Sequence, residues 1–120
     1  PSLSWKILRQ DFYFVSIKRE KMEKIFQEVV KIVSEGTGIN GNDLIHSKKE
    51  ECVDARSILI NLLSELGFTD TLISRYTCLT RQGVNKLKNT FHDRKRNSFI
   101  LSTNYQQIRN ELATSNLISN

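Results

Sequence analysis

Apolar residues recur along this chain at three- and four-residue spacing, the period of a helix with one buried face. Met22, Ile25, Phe26, Val29, Ile32 and Val33 form one such stripe, opposed by Lys21, Glu28, Lys31 and Glu35. The spacing predicts a helix from about residue 17 to 35, with Gly36 as its stop. Thr37 to Gly41 reads as a loop, and Asn42 or Asp43 begins a short helix through Ile45. Ile58, Leu59, Leu62, Leu63 and Leu66 line the inner face of a helix over 53–66, which Asp54 is placed to cap and Gly67 ends. Thr69 or Asp70 caps a helix over 71–77, and Cys78 with Leu79 makes a turn. Thr80 caps a helix reaching Phe91. A break follows at 98–102, and Tyr105, Ile108 and Leu112 mark a last helix capped by Ser102 or Thr103.

Residues 1–16 show neither period cleanly, although Trp5, Ile7, Leu8, Phe12, Phe14 and Val15 are apolar. A short extended segment over 11–17 is the expectation there. The pattern divides the chain into this N-terminal segment and one domain over 17–120. The fold class is all-α: a compact bundle of five or six helices containing a helix-turn-helix.

Charge adds what periodicity leaves out. Between Arg81 and Arg96 stand six basic residues and one acidic residue, an excess of +5, which equals the net charge of the whole 120-residue chain. A motif that carries the entire excess points to a phosphate backbone as partner. Composition is otherwise that of a water-soluble domain, with no apolar run near the roughly 20 residues a membrane helix needs. Cys52 and Cys78 form no C-x-x-C pair and are read as reduced thiols, so a cytoplasmic protein is expected. The chain opens on Pro1, as a processed protein or a fragment of a longer one would.

A helix-turn-helix makes geometric demands. The first helix needs a small residue where the second crosses it, and Ser74 stands there. The turn four residues later commonly takes glycine for a left-handed backbone, but here it holds Cys78. Leu79, Val84 and Leu87 then face inward, which turns Arg81, Gln82, Asn85, Lys86 and Lys88 outward. Arg can pair bidentately with guanine and Gln or Asn with adenine in the major groove. Thr80, at the helix start, offers a hydroxyl and free N–H groups to a phosphate. Gly83 is either a site of close approach to DNA or one of close packing on the preceding helix. Arg94, Lys95 and Arg96 add candidate backbone contacts. The competing reading is an αα-corner with a solvated basic face.

Gly38-Ile39-Asn40-Gly41-Asn42-Asp43-Leu44-Ile45, Ser47-Lys48-Lys49, Asp54-Ala55-Arg56-Ser57-Ile58, Leu62 to Leu66 and the helix-turn-helix stand in an order that resembles the C-terminal DNA-binding domain of the bacterial replication initiator DnaA, a relative of the Trp repressor fold. The resemblance covers about residues 22–112. It implies double-stranded DNA as partner, with Lys48, Lys49 and Arg56 reaching the minor groove or backbone and Thr80 to Lys86 reading bases. The Arg-Asp-His-Thr-Thr run that opens that family's recognition helix is replaced by Leu79-Thr80-Arg81-Gln82-Gly83, so a different target sequence is implied. The chain has no GxxxxGK[ST] loop, so no ATPase is expected. A stand-alone regulator or a replication, phage or mobile-element DNA-binding module fits, and the α-helical stripe at 22–33 offers a face to a partner protein or parent domain. The alternative function is a protein-interaction module on the same fold.

Other chemistry is thinly represented. His46 and His92 lack metal-ligand spacing, Glu50, Glu51 and Asp54 read as solvated loop charge, and no nucleophile sits near a base in sequence. No enzyme activity, metal or cofactor is expected.

Overall fold

A computed structural model describes the backbone from residue 2 to 115 and side chains from residue 19 to 115. Six helices and no strand are found among these residues: α1 Ser2–Thr37, α2 Gly41–His46, α3 Glu50–Glu65, α4 Asp70–Thr77, α5 Arg81–Asn97 and α6 Phe99–Thr114. The protein is an all-α bundle, as its periodicity predicts.

α3 is the hub, in contact with each of the other five helices. Ala55, Ile58, Leu59, Ile60, Leu62 and Leu63 are all buried, so apolar residues surround it on nearly every side, as expected of a helix enclosed by others. Phe26, Val29, Ile32 and Val33 of α1, Ile73 of α4, Val84 and Phe91 of α5, and Leu101, Ile108 and Leu112 of α6 complete one core. Phe26 stacks on Tyr76 at 4.9 Å between ring centres, joining α1 to α4. Phe91 meets Tyr105 edge-on at 5.0 Å, joining α5 to α6.

Several boundaries differ from the sequence reading. The backbone over 11–17 is helical rather than extended, because α1 begins at Ser2 and no Gly or Pro interrupts it before Gly36. Gly36 does not stop α1. It lies inside the last turn, where an added Cβ would sit 2.6 Å from Cγ1 of the buried Ile108, so glycine here admits α6. The stop is Gly38, at φ 74°. α3 starts at Glu50, three residues before the expected start, with Lys49 at its N-cap. Asp54 therefore lies within the helix and caps nothing, while Glu50 and Glu51 occupy the first turn, where the helix dipole favours acidic groups.

The largest change is in α5, which runs six residues past Phe91 to Asn97. Arg94, Lys95 and Arg96 are thereby its last turn, where cations offset the dipole. The expected break at 98–102 shrinks to Ser98. Ser98 ends α5 and caps α6, its Oγ accepting the Leu101 N–H at 3.2 Å, so neither Ser102 nor Thr103 caps.

Candidate nucleic-acid interface

The residues between α4 and α5 set the direction in which α5 leaves the body. Cys78 adopts the left-handed conformation, φ 61° and ψ 15°, and is the single non-glycine residue at positive φ among the described residues. The turn is tied on both sides. Ser74 Oγ donates to the Leu79 carbonyl, and Thr77 Oγ1 accepts the Leu79 N–H at 3.4 Å while donating to the Ile73 carbonyl at 2.7 Å. Ser74 thus does more than keep the crossing narrow: its hydroxyl fixes the strand of chain that follows the turn. Thr80 then caps α5, accepting the Gly83 N–H at 2.9 Å. A Cβ on Gly83 would lie 3.2 Å from that same hydroxyl. No atom of the preceding helix lies within 4 Å of that position, so packing on α4 does not account for the glycine, and the Thr80 hydroxyl is a close but yielding neighbour.

Val84 is fully buried, and Leu79 and Leu87 are half-buried against the core, which fixes the rotation of α5. Arg81, Gln82, Asn85, Lys86 and Asn89 consequently face solvent. Among the described residues neither Arg81 nor Lys86 is in an ion pair. Asn85 is engaged: its Nδ2 donates to Asp70 Oδ2 at 3.2 Å, and its Oδ1 accepts from Asn89 Nδ2 at 3.1 Å. Asp70 also takes Lys88 Nζ at 2.7 Å. Asp70, expected only as an alternative cap, instead orients two α5 side chains from the start of α4. Asn89, one helical turn beyond Asn85, continues the same polar face; its i+4 spacing was the available signal.

Most of the remaining basic residues are occupied by the protein itself. Arg94 Nη1 donates to Asp54 at 2.9 Å and Glu50 at 3.1 Å, tying α5 to the start of α3. Arg96 lies 3.7 Å from Asp93, one turn back. Lys95 Nζ stands 4.9 to 5.0 Å from the centres of the Tyr105 and Phe91 rings, within the range of cation–π attraction.

Arg56 departs furthest from its expected place. A groove contact needs a free guanidinium, but the residue is 7% exposed. Its Nε donates to the Leu44 carbonyl at 2.8 Å, and its Nη2 donates to the carbonyls of Ser47 at 2.6 Å and Asp43 at 3.4 Å. Desolvation by burial lowers its pKa from the usual arginine value. Lys48 and Lys49, in the α2–α3 loop, are exposed, with the Lys49 N–H donating to Ser47 Oγ at 3.3 Å.

The two exposed basic groups lie at opposite ends of α5. Because Glu50 adjoins Arg94, the Lys48–Lys49 loop is near the end of α5, roughly 20 Å along the helix from Arg81 at 1.5 Å per residue. Among the described residues no three His, Cys, Asp or Glu side chains gather to hold a metal ion. Cys52 is buried and Cys78 exposed, and both are free thiols. No described helix is long and apolar enough to cross a membrane. Compared with protein-family models, curated proteins and solved structures, the chain matches none.

Proposed function

We propose that this protein binds double-stranded DNA through α4, the Cys78 turn and α5 acting as a helix-turn-helix, with the first turns of α5 in the major groove. The observation that carries the reading is the solvent face of α5, where a rigidly seated helix presents Arg81, Gln82, Asn85 and Lys86 side by side. Arg81 to Lys86 spans roughly 8 Å of helix, which fits a groove about 12 Å wide. Arg81 and Gln82 occupy the first turn, where backbone N–H groups lack helical partners and favour an anion. Lys48 and Lys49 supply a second contact near the other end of α5. A role in replication, transcription control or a mobile element is consistent with such a module, and a cytoplasmic site of action goes with it.

The reading is tested with immobilised duplexes selected from a random pool. Arg81→Ala and Lys86→Ala are each expected to weaken retention, Arg81→Ala by about 1–3 kcal/mol if it reads a base. Retention equal to that of the unaltered chain for both variants would remove the proposal.

A second reading, a protein-docking module, draws on Phe99 and Ile100 at the start of α6. They are 85% and 73% exposed and are the large apolar side chains left to solvent among the described residues. A pair of this size is well below a full interface, so DNA binding is the primary reading.

A further inference from the structure

The geometry points to Arg56 as a positioning residue that presents Lys48 and Lys49 to DNA phosphates without touching DNA itself. This deepens the proposed DNA-binding reading and rests on it. The last carbonyls of a helix have no partner within the helix. At the end of α2 the Arg56 side chain takes that place for the Leu44 carbonyl, and from its seat in α3 it also joins the carbonyls of Ser47 and, at 3.4 Å, of Asp43, which already accepts the Ser47 N–H. Among the described residues no carboxylate is paired with it, so backbone carbonyl dipoles meet the cost of its burial.

Ser47 is the residue immediately before the two lysines, and Lys49 is the N-cap of α3, the helix that carries Arg56. The loop is thus clamped at both ends by one element. Its short reach and its Ser47 Oγ to Lys49 N–H bond leave the lysine backbone little freedom. Ordering such a segment before binding removes a cost that association would otherwise carry. A planar guanidinium meets several acceptors set in a fork, whereas a lysine ammonium is a point donor on a flexible stem, so charge alone does not replace Arg56.

The test uses the full chain with Arg56→Lys, which keeps the charge. Duplex affinity is expected to fall roughly tenfold, the scale of fixing the backbone of about one loop residue on binding. In a chain already carrying Lys48→Ala and Lys49→Ala, the same substitution is expected to cause no further loss, because the effects share one route. Losses that multiply instead would mean that Arg56 contacts DNA directly and would overturn the inference alone. No duplex binding by the unaltered chain would overturn it together with the reading beneath it.

Trypsin gives a readout independent of DNA. Cleavage after Lys48 and Lys49 should run several times faster in Arg56→Lys, with cleavage after Lys21 and Lys24 unchanged; equal rates at the loop would overturn the clamp. Should Arg56→Lys fail to fold, the unaltered chain still decides by NMR. The Arg56 Nε–H signal should exchange slowly and stay in place when duplex is added, while the Lys48 and Lys49 amides move. A shift of the Arg56 signal as large as theirs would sink the proposal.

Discussion

Cys78 holds a backbone conformation that costs an L-residue roughly 1–2 kcal/mol, and it does so at the point where α5 is aimed. Glycine removes that cost but gives back roughly 0.5–1 kcal/mol through the greater freedom of the unfolded chain. Cys78→Gly is therefore expected to stabilise the protein by about 0.5–1 kcal/mol, read as a raised urea midpoint with an unchanged slope. A lowered midpoint would show that the thiol contributes more than the turn costs. The need for a left-handed turn was legible from the Ser74 to Thr80 spacing; the occupant was the departure, and the structure keeps the turn anyway. Arg56 shows the opposite case. Its charge was legible and its burial was not, because the three carbonyls that satisfy it belong to residues 9 to 13 positions away.

Between elements, the contact of α5 with α6 depends on Tyr105, whose ring packs on Phe91 and lies under Lys95. Burial raises the Tyr105 pKa above its ordinary value of 10.0, and the negative charge of Glu65 adds to the rise. An unfolded chain therefore loses this proton at lower pH than the folded one. Above about pH 10 the unfolded state binds fewer protons, so stability falls as pH rises through the folded-state pKa. Tyr105→Phe is expected to flatten the decline of melting temperature above pH 10, and equal declines in the two proteins would refute the assignment. Helix existence was legible from residue 17 on, because Phe26 to Val33 keeps a clean period and Ile58 to Leu63 is densely apolar, but not over 11–17, where no period stood out. Ends were less so. Nothing local distinguishes Phe91, where apolar residues stop, from Asn97, where hydrogen bonding stops. Polar helix beyond Phe91 is held by Arg94 reaching Asp54 and Glu50, contacts 40 and 44 residues apart that periodicity cannot register.

Over the whole molecule, the charge excess is distributed differently from its sequence pattern. Of the nine basic residues singled out in the sequence, Lys88, Arg94 and Arg96 are paired with carboxylates, Lys95 lies against two rings and Arg56 is buried, which leaves Arg81, Lys86, Lys48 and Lys49 for the proposed duplex. Each phosphate neutralised contributes about −0.9 to the slope of log affinity against log salt. Four contacts give a slope of about −4, whereas all nine basic residues singled out in the sequence would give about −8. A salt titration of duplex binding separates these values, and a flat titration would favour protein docking. Net charge was legible in the sequence, but which cations remain free was not, because Asp54, Glu50 and Asp70 reach α5 only in the folded chain.

α3 touches every other helix. Local opening in a protein normally releases one element while the rest stays folded. The ends of α5 and α6, or α4 with its turn, can loosen in that way and leave a core behind. α3 has no such option, since its departure removes a wall from every other helix at once. Its amide hydrogens are therefore expected to exchange only through global unfolding, which hydrogen exchange would read directly.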